Sequence, residues 1–164
     1  MKTILLLFFV LSGLLIADEV PSFAAPKHWT SVDPKLLLPS VKISFLKEGE
    51  KGFCPSINLA VEKIEIKESA YLKIVKKMHE SNPQNRWRSL GKIQTKAGMA
   101  LLTEVDTKNK MGDVRLLQMI LVKKEHVYVI TASALKEEFA QYYQDFKTAF
   151  ESLTLEEENM KNEG

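Results

Sequence analysis

LLQMILVKKEHVYVITAS, residues 116–133, is the stretch that decides the fold of this chain. Residues 116–122 are apolar at both alternating positions except Gln118, and residues 127–132 have the same texture beyond Lys124-Glu125. Two such runs around a two-residue polar break predict a tight antiparallel hairpin. Strands that are apolar on both faces have to be covered on both. Helices or straps are therefore expected on each side of the sheet.

The neighbouring sequence extends that sheet in both directions. Residues 87–95 and 99–105 read as two further strands joined at Ala97-Gly98, and a turn at 109–112 leads into the run 114–122. Residues 41–46 and 56–66 give two earlier strands, separated by the turn KEGEKG at 47–52. Between the two groups lies a helix. Ser69 is its expected N-cap, Tyr71, Ile74, Val75 and Met78 form an apolar stripe at i, i+3, i+4 and i+7, and Asn82-Pro83 ends it. A closing helix carries Leu135, Phe139, Tyr142, Tyr143, Phe146, Phe150 and Leu153 on one stripe, with Ser133 as cap and Glu137-Glu138 in its first turn. The expected class is α+β, an antiparallel sheet of about six strands flanked by helices on both faces, in the order ββ-α-ββββ-α.

The chain begins with Lys2 and a run, residues 4–16, that is apolar apart from Ser12 and Gly13. About 13 residues are too few for a hydrocarbon core that needs about 20, so residues 1–17 read as a Sec-type signal peptide. Cleavage is expected after Ala17, with Ala24 as the second choice, and the product is expected in the periplasm or secreted. Of the 164 residues 147 would then remain, enough for one domain. Residues 18–40 read as an irregular Pro-rich segment holding Trp29 and Leu36-Leu37-Leu38, which becomes an apolar strap near the core. Residues 41–155 form the single domain, and residues 156–164, with four Glu and one Lys, form an acidic disordered tail.

Hydrophobic content of 45% and charged content of 27% are ordinary for a globular protein. Residues 18–155 hold 21 basic and 17 acidic side chains, a net charge of +4 that is far below what nucleic-acid binding usually shows. The one cysteine, Cys54, cannot form an internal bridge and reads as a small buried hydrophobe. No cofactor or catalytic motif is present. His28, His79 and His126 are scattered, and Met78-His79 point about 100° apart on a helix, with Met78 assigned to the core. Neither Cys54-Pro55-Ser56 nor Ser89-Leu90-Gly91 has the glycine-flanked form of a nucleophile elbow. No enzyme and no cofactor are expected.

One surface stands out. Alternation from Arg86 onward places Arg86, Arg88, Lys92 and Lys96 on one strand face, with Trp87 and Ile93 on the other. Four cations at even spacing could meet anionic lipid heads or an acidic partner. The plainer reading, which carries more weight, is a solvated edge whose charge discourages aggregation.

In order and texture the chain resembles the PsbP-like group, which includes the DcrB-type bacterial envelope proteins. The carriers are SINLAVEKI at 56–64, the helix after it, the hairpin 116–133, and EEFAQYYQDFKTAFESL at 137–153. The resemblance covers residues 41–155. It implies an antiparallel sheet with helices on both sides, in a domain used for docking to larger complexes, and it supplies no site residue. The expected function is an exported, monomeric, non-enzymatic binding or assembly module acting on a membrane-associated complex of the cell envelope. The alternative is a carrier of a small or lipidic ligand held between helix and sheet, beneath Tyr142, Tyr143 and Phe146.

Overall fold

A computed structural model describes residues 19–157. The expected signal peptide, its cleavage point and most of the acidic tail lie outside the described residues. The elements run β1 (Glu19–Ser22), β2 (Thr30–Ser31), a 3-10 turn (Pro34–Leu36), β3 (Val41–Leu46), β4 (Ser56–Lys63), α1 (Glu68–Glu80) and β5 (Arg86–Thr95). They continue with β6 (Gly98–Asn109), β7 (Gly112–Lys123), β8 (His126–Leu135), α2 (Phe139–Glu151) and β9 (Thr154–Glu157).

The main sheet has seven strands in the order β2-β3-β4-β8-β7-β6-β5, all antiparallel, and β1 pairs with β9 in a separate two-stranded sheet. The expected sheet of six is enlarged by β2, too short to show an alternating pattern. Residues 18–40 are also more regular than expected, since β1 and β2 lie within them. Glu156 and Glu157, assigned to a disordered tail, belong to β9.

The decisive hairpin forms as read, with Leu121 across from Tyr128 and Met119 across from Ile130. Leu117, Met119, Leu121, Tyr128, Ile130, Ala132 and Ala134 point to one face and share a cluster with Ile57 and Leu59 of β4 and Phe139, Tyr142, Phe146 and Phe150 of α2. The N-terminal segment closes this core from outside. Trp29 stands edge-on to Phe146 at 5.9 Å and to Tyr142 at 6.1 Å, and its indole N–H donates to Asp145 at 2.9 Å. The strap is therefore Phe23 and Trp29 rather than the leucine run, whose Leu36 and Leu38 are exposed.

Both helices start elsewhere than expected. Ser133 and Leu135 belong to β8, where the Ser133 hydroxyl hydrogen-bonds that of Ser56 at 2.7 Å, so α2 begins only at Phe139. Tyr143 is correspondingly off the buried stripe. For α1 the cap position is Lys67 rather than Ser69, with no side-chain capping bond. Its inner face is also rotated: Ile74 and Met78 are 57% and 58% exposed, while His79 is buried.

The reason is that α1 covers only part of the opposite sheet face, reaching β7 through His79 Nε2 and Gln118 Oε1 at 3.2 Å. Burial lowers the imidazole pKa, and the hydrogen bond with Gln118 opposes that shift. The core assignment of Met78 is thus corrected, and its neighbour His79 takes the buried position. Cys54, expected to be buried, is exposed.

Candidate functional site

β5 is an edge strand, and its geometry depends on one irregularity. Ser89 pairs with Thr103 and Gly91 with Leu102, leaving Leu90 as the extra residue of a β-bulge. Gly91 adopts φ of +96°, a region that L side chains rarely enter. Because side chains alternate with a period of two, one inserted residue exchanges the faces beyond it.

Arg86 and Arg88 lie across from Asp106 and Glu104, whereas Lys92 lies across from Leu101. Leu101 and Glu104 are an odd number of residues apart on β6, so Lys92 points to the face opposite Arg88. Lys96 sits in the turn beyond the strand, its backbone N–H donating to the Glu151 carbonyl at 3.0 Å. The four cations therefore do not share a face; they wrap around the edge. Replacing Gly91 with alanine is expected to cost about 1–2 kcal/mol through backbone strain alone. Urea melts of the variant check this. An unchanged midpoint would mean that the bulge relaxes without cost.

Arg88 is not free for a partner. It hydrogen-bonds Glu104, whose side chain is 9% exposed, and Glu104 also faces Arg115 at 3.4 Å. Arg115 in turn binds Asp106 in fork fashion, Nε to Oδ1 at 2.7 Å and Nη2 to Oδ2 at 3.1 Å, and Lys136 reaches Oδ2 at 2.8 Å. The Arg115 hydrogen bonds outweigh burial and, with Lys136, hold the Asp106 carboxyl down at about 2. The same pair raises the Arg115 pKa, and its guanidinium lies 5.6 Å from the Phe139 ring centroid, tying the network to α2.

This chain of five charges was missed in the sequence. Its signal was there, in Glu104 and Asp106 two apart on a strand that begins apolar at Met99 to Leu102, with Arg115 beyond the turn. Arg86, Lys92 and Lys96, by contrast, are exposed and form no ion pair among the described residues.

A cleft of about 220 Å³ opens beside the network, with Arg86, Lys108 and Lys136 facing Asp106 and Asp113 across it. Fixed charges of both signs in an open cleft can orient a polar group, and the described lining holds no serine, cysteine or histidine. Among the described residues no group of three or more His, Cys, Asp or Glu could hold a metal ion. No described helix is long and apolar enough to cross a membrane.

Neither a protein-family model nor a curated protein sequence matches the chain. Solved structures do. LpqN, involved in cell envelope biogenesis of Mycobacterium tuberculosis, superposes with a TM-score of 0.65 at 13% identity, over 85% of this chain and 85% of its own. Cyanobacterial PsbP from Synechocystis gives 0.53 at 13% identity, over 87% of this chain and 95% of that one. The chain has the PsbP-like fold. The Ran-binding protein Mog1p of Saccharomyces cerevisiae shares it as well, with a TM-score of 0.54 at 15% identity over 85% and 96% of the two chains. Proteins at such low identity share architecture, and a PsbP-like domain does not by itself fix a partner.

Proposed function

We propose that this chain is an exported, non-enzymatic, monomeric module that docks onto, or helps assemble, a membrane-associated complex of the cell envelope. The observation that carries this reading is the open edge of β5, where Arg86, Lys92 and Lys96 are exposed and form no ion pair among the described residues. The edge offers backbone donors and acceptors inside a positive field, which suits an acidic protein segment or anionic lipid heads. The likeness in fold to LpqN supports an envelope setting. A carrier with its ligand held between α2 and the sheet is disfavoured, because that space is filled. Phe146 is 0% exposed, and its ring lies 5.3 Å from that of Phe139 and 6.2 Å from that of Tyr142.

The test is a triple charge reversal, Arg86→Glu, Lys92→Glu and Lys96→Glu. Arg88 is left alone, because a glutamate there would face Glu104 and destabilise the fold instead of reporting on the surface. Co-sedimentation with native envelope membranes and with phosphatidylglycerol vesicles is expected to fall at least tenfold at low ionic strength. The gap from wild type should narrow toward ~1 M salt, where screening acts within about 3 Å. A folded triple variant that binds as well as wild type at low salt would remove the β5 edge from the reading.

A further inference from the structure

A larger and more apolar cleft lies toward the opposite edge of the sheet, beneath β1. It is a cleft of about 530 Å³, walled by Val20 and Pro21 of β1, floored by Ile43, Val61 and Tyr128, and edged by Lys42 and Lys63. Its volume is within the range of about 300–1,000 Å³ usual for small-ligand sites. The register explains the layout. Val61 pairs with Tyr128, and two residues farther along Lys63 pairs with His126, so an apolar row is followed on the same face by a basic one.

β1 is fixed over this floor by the Glu19 carboxylate, which takes Lys124 at 3.1 Å and Lys123 at 3.4 Å. Burial would raise the Glu19 pKa, but its bonds to Lys124 and Lys123 prevail and keep it lowered. Among the described residues Lys63 pairs with the exposed Glu125 alone, at 3.4 Å. Lys42, at the irregularity between Val41 and Ile43, donates to the Pro39 carbonyl at 3.0 Å and has no ion pair among the described residues. Of the lysines and carboxylates that line the cleft, Lys42 and Lys63 thus stand against Glu19, which is already held by two lysines of its own.

We propose that this cleft binds an amphipathic anion, its apolar body lying on Ile43, Val61 and Tyr128 and its anionic head held by Lys42 and Lys63. The apolar floor disfavours a bare inorganic anion, and the surplus positive charge at the rim disfavours a neutral apolar molecule. The site is on β3, β4 and β8, whereas the docking edge is β5 at the far side of the sheet. Either can fail without the other.

Dodecanoate, kept below its micelle threshold, is the probe. Titration followed by methyl NMR is expected to give saturable one-to-one shifts concentrated on Ile43 and Val61. Lys42→Glu with Lys63→Glu should weaken binding at least tenfold, and so should salt at ~1 M. Val61→Phe, which narrows the floor without touching charge, should weaken it comparably. Dodecanol is expected to bind more weakly, and inorganic phosphate should show no saturable binding. Absence of saturable shifts at Ile43 and Val61 would overturn the proposal. So would equal affinity in both folded variants, or phosphate binding as tightly as dodecanoate.

Discussion

Replacing Phe146 with alanine is expected to cost about 3–5 kcal/mol, the range for deleting a fully buried aromatic ring. Phe146 is 0% exposed and is bounded by three other rings, those of Trp29, Phe139 and Tyr142. These neighbours hang from two separate segments, Trp29 from the N-terminal strap and Phe139 and Tyr142 from α2 itself, so the cavity cannot collapse by moving one side chain. For a domain whose total stability is typically about 5–15 kcal/mol, that loss approaches unfolding. Lys147→Ala is the control. Its ion pair with Glu151 at 3.3 Å is solvated, and its removal should cost under ~0.5 kcal/mol. Urea melts compare the two. Equal losses would show that α2 does not bury the face described.

The second large effect is expected from Arg115→Met. Removing one member of a buried ion pair costs about 3–5 kcal/mol when its partner is left uncompensated. Here Arg115 is 22% exposed, and Asp106 and Glu104 keep Lys136 and Arg88, so about 2–3 kcal/mol is the discounted expectation.

The sign with pH follows from Asp106. Its carboxyl is lowered in the folded protein from 3.8 to about 2, so its contribution is complete above pH 3.8 and is lost as pH falls through about 2. The gap between wild type and variant should therefore be full at pH 7 and shrink below pH 3.8. Denaturant melts across that range read it out. A gap independent of pH would mean that Arg115 acts through its contact with Phe139 instead of through charge.

The legible parts of the fold were those with strong local periodicity. The run 116–122, its partner 127–132 and the stripe Tyr142, Phe146, Phe150 have more apolar positions than any single alternative placement could leave exposed. The stripe of α1 was misjudged because Ile74 and Met78 are apolar by type, and only the tertiary contact through His79 and Gln118 shows which side meets the sheet. The bulge at Leu90 was invisible, since Arg86 to Lys96 alternates well on paper and one unpaired residue leaves no mark in composition. That single residue dispersed the four expected surface cations and committed Arg88 to Glu104. β1 and β9 were missed for another reason: EVPS and TLEE are short and polar, and their pairing joins segments more than 130 residues apart.

That pairing also sets how the molecule would respond to load. Glu19 lies across from Glu157 and Ser22 across from Thr154, so the chain enters and leaves side by side at one end of a ribbon. Adjacent ends of this kind tolerate circular permutation, with a short linker joining them and new termini cut at an exposed turn such as 109–112. Pulled apart, the same ends would peel the ribbon from its tip, one cross-strand pair at a time, with the Glu19 bonds to Lys123 and Lys124 among the first to break. β1 would lift first, and with it the roof over Ile43 and Val61. Traction along the chain would thus unroof the cleft while the folded body stayed whole.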